Sequence, residues 1–140
     1  MEPDLIDPRT MSAEVYRKLA ELRTAHERDR RRLKDQYNQA VQTYTYLATW
    51  GLLRLKAEEL AMTKEGWTDI VKIFFSTLQK LSNTPNLSGS GGLATLSNQN
   101  SMSAETYLGL TGLGLKLSRE FAFWASAIYA DVKTEAEQEQ

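Results

Sequence analysis

At 140 residues the chain is sized for one domain, has no cysteine and carries a formal net charge of −1. The missing cysteine excludes thiol chemistry, disulfides, thiolate zinc sites and iron–sulfur clusters. The near-neutral balance excludes a molecule-wide field for nucleic acid or anionic membrane, so any such contact has to come from a local patch. Apolar residues make up 41% and charged residues 25%, ordinary globular usage. The most apolar stretch, 107–130, is interrupted by Lys116, Arg119 and Glu120, and a spanning helix is not expected. The start, "MEPDLIDPRTMSAE", lacks the basic and apolar blocks of a secretory leader. A soluble, cytoplasmic protein is expected.

Pro3 and Pro8 predict an irregular arm over 1–11. Ser12 is the expected N-cap of the first helix, with Glu14 at its positive end. From there Val15, Leu19, Leu22, His26, Leu33, Tyr37, Ala40, Val41 and Tyr44 recur at helical spacing. Neither glycine nor proline intervenes before Gly51, so one long helix is expected over 12–49. Gly51 marks a break, and 51–62 resumes as helix. Thr63 is the expected cap of a helix over 64–82, whose Trp67, Ile70, Val71, Phe74, Phe75, Leu78 and Leu81 spread over most of its girth. That breadth predicts a central helix. Pro85 forbids its continuation.

Residues 83–101 are rich in Gly, Ser and Asn and nearly uncharged, which predicts a flexible loop with few anchors. Ser103 then caps a final helix over 103–132, and 133–140 forms a polar tail expected to fray. The fold class is all-α: a small helical bundle with a long basic first helix and a long apolar last helix, forming one domain over 12–132. The expected core comprises Trp67, Phe74, Leu78, Leu117, Phe121 and Trp124.

The stretch "YLGLTGLGLKL" (107–117) has the glycines of a phosphate loop but not its context. A phosphate loop joins a strand to a helix and frees backbone N–H groups to face the anion. Here the glycines lie inside a helical pattern, and no Gly-Lys-Ser/Thr occurs. Gly109 and Gly112 are three apart and share a helix face, so close approach by another helix is expected there.

Catalysis has little material. The one histidine, His26, sits on the apolar side of the first helix and reads as partly buried or interfacial. HExxH and paired Glu-x-x-His metal motifs are absent, as are a nucleophile elbow and an aspartate cluster. No enzyme activity, cofactor or metal is expected.

The basic run "RTAHERDRRRLK" (23–34) is the functional lead. On a continuous helix Arg23, Arg30 and Lys34 fall on one flank, and Arg17, Arg28 and Arg31 on the other. Arginine suits bidentate phosphate contact. The same residues also suit a solvated face with ion pairs such as Glu27–Arg31.

Three blocks complete the pattern: "YTYLATWGLLRLKAEELA" (44–61), "GWTDIVKIFFSTLQKL" (66–81) and "SREFAFWASAIYAD" (118–131). Their order, with Gly51-Leu52, Trp67 and the Phe121–Tyr129 block, resembles the small subunit of multi-subunit type III CRISPR effector complexes, the Cmr-type small subunit. The resemblance implies an all-helical protein with no catalytic activity of its own. It also implies partners: the backbone and large subunits, the guide RNA and target nucleic acid, and further copies of itself in a row. The competing reading is a helical scaffold or adaptor that acts through helix pairing and has no nucleic-acid role.

Overall fold

A computed structural model describes residues 7–139. Among them are seven helices: α1 (Pro8–Ala25), α2 (Arg30–Trp50), α3 (Leu52–Ala61), α4 (Glu65–Ser82), α5 (Gly92–Ser97), α6 (Ala104–Ile128) and α7 (Ala130–Gln138). The all-α bundle is as expected, but several boundaries move, each for a local reason.

Residues 1–6 of the expected arm lie outside the described residues, while 8–11 are helical. Asp7 caps α1 in place of Ser12, accepting from the Arg9 N–H at 3.0 Å, and proline stands in the first turn. Proline is suited to that position because its missing N–H has no partner there anyway. Ser12 therefore lies inside α1 and donates instead to Glu120 on α6, at 2.6 Å.

The expected 12–49 helix is two helices. His26 ends α1: its N–H returns to the Arg23 carbonyl and the Glu27 N–H to the Thr24 carbonyl. Asp29 starts α2 by accepting from the Arg32 N–H at 3.0 Å. An aspartate cap does here what glycine or proline does elsewhere.

Gly51 separates α2 from α3 at φ +86°, a left-handed conformation that favours glycine. It offers no side-chain cap, and the Tyr107 hydroxyl oxygen accepts the Leu53 N–H at 3.0 Å instead. α4 begins without a side-chain cap at Lys64, so the expected Thr63 cap is not formed. It ends on Asn83 in the left-handed region.

The helices interlock in alternating directions. Glu14 meets Lys80, Lys18 meets Ser76 and His26 approaches Asp69, so α1 and α4 are antiparallel. Tyr129 meets Gln36 and Arg119 meets Tyr44, so α6 and α2 are antiparallel. The centre is α2, not α4 alone. It packs against α6, α4, α7 and α3, and Asp35 through Ala40 are buried without interruption. An unbroken buried run on a helix means that every face is covered.

Phe74, Leu78, Leu117 and Phe121 are fully buried, as expected. Trp67 and Trp124 are only half-buried and belong to the rim. Trp124 packs against the exposed rings of Tyr16 and Phe123, and its indole N–H donates to Glu120.

Residues 83–101 are anchored more firmly than their composition predicts. Leu87, Leu96 and Met102 are buried, α5 lies against α3, and Gln79 accepts the N–H groups of Leu87 and Ser88. The last helix is not the long apolar one. α6 stops at Ile128, and the expected fraying tail forms the acidic α7, with Val132 and Ala136 buried.

Close approach falls at other glycines than Gly109 and Gly112, whose positions face open space. A Cβ at Gly66 would lie 2.6 Å from the Arg32 carbonyl oxygen and from the Asp35 Cβ. Gly66→Ala is therefore expected to destabilise by about 1–3 kcal/mol through overpacking. Gly112→Ala is expected to stabilise by up to about 1 kcal/mol through helix propensity. Chemical denaturation of the two variants checks the contrast, and equal effects would show that the α2–α4 contact is looser than described.

Candidate nucleic-acid interface

The break at 26–29 dissolves the two flanks expected on a single helix. Arg17 lies on α1, tied to Glu14 at 2.8 Å and Glu21 at 3.2 Å. Arg28 lies in the turn, exposed and without an ion pair among the described residues. The remaining four expected site residues, Arg23, Arg30, Arg31 and Lys34, come together under α7.

Asp131 and Glu135 on α7 and Glu139 at its C-cap are four residues apart and form one stripe. Arg23 is bidentate to Asp131 at 2.5 and 2.7 Å, and also donates to the Ile128 carbonyl. Arg30 pairs with Glu135, Arg31 with Glu139, and Lys34 with Glu139 at 2.6 Å. The Tyr37 hydroxyl adds a hydrogen bond to Glu137 at 3.0 Å. The basic strip expected to face phosphates is thus occupied by carboxylates of the same chain.

Hydrogen bonds explain the acidity of these carboxylates. Donation from Arg30 holds Glu135 below the ordinary glutamate range, Lys34 does the same for Glu139, and Arg23 for Asp131. Burial raises Tyr37, and its bond to Glu137 adds to the rise.

Beneath the strip lies a polar network not expected from the sequence. Arg32 holds Asp69 bidentately at 2.7 and 2.9 Å. The Gln36 amide donates to Asp69 at 2.9 Å, and its carbonyl accepts from the Tyr129 hydroxyl at 2.6 Å. Burial alone would raise Asp69, but its bonds from Arg32 and Gln36 and the nearby Arg32 and His26 outweigh burial and keep it low. Burial pushes the Tyr129 hydroxyl far above its usual range. His26 is half-buried at the edge, its Nδ1 3.1 Å from the Leu22 carbonyl oxygen and 3.2 Å from the Gln36 amide nitrogen. Among the described residues no group of three His, Asp or Glu is placed to hold a metal ion.

A different face carries cations free of carboxylates. No acidic residue occurs from 36 to 57 or from 106 to 119. On α6, Lys116 is exposed without an ion pair among the described residues. Arg119, one turn on, lies over the Tyr44 ring at 4.7 Å and donates to its hydroxyl at 2.7 Å. Glu120, next in sequence, is held elsewhere by Ser12 and Trp124. Separately, the exposed Trp50 carries the Arg54 guanidinium at 4.2 Å. Arginine on an aromatic face stays available at its edge for anions, and the ring offers a stacking platform. The sequence signal for this face was the missing carboxylates rather than a cluster of arginines.

The α7 contact has a definite pH dependence. Glu135, Glu139 and Asp131 have lower pKa values when docked than when free, so their contribution is fully present above the free carboxylate values. It is lost as pH falls through the lowered values. Amide protection in α7, measured against the intrinsic exchange rate at each pH, is expected to be high at neutral pH and to fall on acidification through that range, ahead of protection in α2. A fast-exchanging α7 at neutral pH would show that the ion pairs do not hold it.

No family model, curated protein or solved structure matches this chain, so the interface is defined by its own charges and contacts.

Proposed function

We propose that the chain is a non-catalytic helical subunit of an RNA-guided effector complex that contacts the nucleic-acid backbone through Tyr44, Lys116 and Arg119. The observation that carries this reading is that Lys116 and Arg119 make no ion pair among the described residues, although the whole chain is slightly acidic. Contact with phosphates and stacking on a ring are independent of base sequence, as suits a complex in which pairing reads the target and protein reads shape and charge. The likeness of Gly51-Leu52, Trp67 and the Phe121–Tyr129 block to the type III small subunit supports placing it among backbone subunits, a large subunit and further copies of itself. On this reading the expected contacts through Arg17, Arg23, Arg30, Arg31 and Lys34 are not the primary ones, because each already holds a carboxylate.

The scaffold reading has its own observation. Leu108 and Phe123 are exposed on α6, at 68% and 65%, and Gly109 and Gly112 leave open space between them. Exposed apolar side chains with open space beside them suit a helix partner.

One experiment separates the two. Lys116→Glu/Arg119→Glu is compared with the parent for binding of single-stranded RNA across a salt series. The nucleic-acid reading expects weaker binding by the variant at every sequence tested. It also expects the salt slope to fall by roughly 0.7 for each phosphate that the variant no longer neutralises. Identical affinities and slopes for variant and parent would leave the scaffold reading standing.

A further inference from the structure

α7 is a nine-residue helix with two small buried anchors, Val132 and Ala136. Most of its remaining hold on the body is charge. The Arg30–Glu135 pair is about half exposed on both sides, at 52% and 46%, and Arg31 is 63% exposed. Exposed pairs of this kind are weak and are screened by salt. The cations beneath are another matter. Arg23, Arg30, Arg31 and Lys34 are gathered on neighbouring turns, with the exposed Arg28 beside them. Without α7 they would be a basic surface at the junction of α1 and α2, with Arg30, Arg31 and Lys34 on α2.

The junction is suited to local release. Tyr129 ends α6 and begins α7, with φ −105° and ψ 24°. Its side chain is fully buried and fixed to Gln36. Undocking of α7 can therefore stop at Tyr129, withdrawing Val132 and Ala136 from the core while α6 stays attached.

We propose that α7 is a displaceable carboxylate cover over a second RNA-backbone surface formed by Arg30, Arg31 and Lys34 and bordered by Arg23 and Arg28. Its ligand class rests on the nucleic-acid reading above, but its residues are distinct from Lys116 and Arg119. Asp131, Glu135 and Glu139 occupy the positions that phosphates would take. A polyphosphate competes well with them, since phosphate oxygens fit the guanidinium fork as carboxylates do and RNA adds counterion release. All the cations except Lys34 are arginines, which favours a phosphate chain over an acidic peptide. The cover limits binding to isolated or short RNA and yields to a long backbone presented in an assembly.

The test compares the full chain with Glu135→Gln/Glu139→Gln, using labelled oligouridylate at several salt concentrations. The variant is expected to bind about tenfold more tightly at low salt and with a steeper salt slope. Adding Arg30→Gln/Arg31→Gln/Lys34→Gln should abolish that gain. Glu58→Gln/Glu105→Gln, which changes net charge equally at exposed carboxylates elsewhere, should not reproduce it. Affinity equal to the parent's, or a gain matched by that control, overturns the proposal. So does a gain for polyglutamate with none for RNA. Hydrogen exchange on the unaltered protein provides a measurement independent of any variant's folding: RNA is expected to accelerate exchange in α7, and unchanged or slower exchange overturns the cover. Repeating the series in the Lys116→Glu/Arg119→Glu background separates the two surfaces, since the gain persists there even if that first surface proves inert.

Discussion

Residues 35–40 of α2 have no free side, and that enclosure governs the rest of the molecule. Gln36 is completely buried there, yet it carries a full set of amide donors and acceptors. Such a group has to find partners in place, or its desolvation is uncompensated. Its amide donates to Asp69 on α4 and its carbonyl accepts from Tyr129 at the end of α6, with the His26 Nδ1 3.2 Å away. One amide thus fixes the mutual position of three helix segments. Arg32 completes the arrangement by neutralising Asp69. A buried polar group whose every bond is satisfied in only one geometry specifies that geometry more sharply than apolar contacts do.

The same enclosure sorts the charges. α7 lies across α2, so the acidic end of the chain is consumed by the basic beginning of α2. Lys116 and Arg119 on α6 make no ion pair among the described residues. An almost neutral total therefore conceals two regions, one of compensated charge around α7 and one of uncompensated positive charge around Lys116 and Arg119. Net charge says little about either, because fields at a surface depend on pairing within a Debye length, roughly 10 Å.

Legibility from sequence followed how local each cause was. Gly51, the Ser103 cap and the stop near Pro85 act within a few residues, and the helices they bound were readable. Phe74, Leu78, Leu117 and Phe121 were readable as core because their periodicity is strong. The break at 26–29 was not, since its charged residues fit a continuing helix and Asp29 becomes a cap only once α1 has ended. The four-residue spacing of Asp131, Glu135 and Glu139 was visible as composition, but it acquires meaning only when α2 lies opposite. Basic residues at 23–34 drew attention as a site for the same reason: their partners lie a hundred residues away in sequence. The better candidate surface was marked by an absence of carboxylates, a signal that clusters do not reveal.

Lys56 shows what docking of the uncharged segment after α4 has to offset. Its side chain is entirely buried, 3.0 Å from Glu59 and 4.6 Å above the Phe75 ring. An ammonium group removed from water needs both compensation and a reason to remain covered. Gly92 lies so close over it that a Cβ there would overlap the Lys56 side chain and the Leu87 carbonyl oxygen. The glycine is thus a requirement of close approach, although it looks like flexibility in a Gly- and Ser-rich sequence. Leu87 and Leu96, on either side, fill the surrounding apolar surface. In this segment the small residues permit contact and the two leucines hold it, which offsets the cost of keeping the ion pair beneath it out of water.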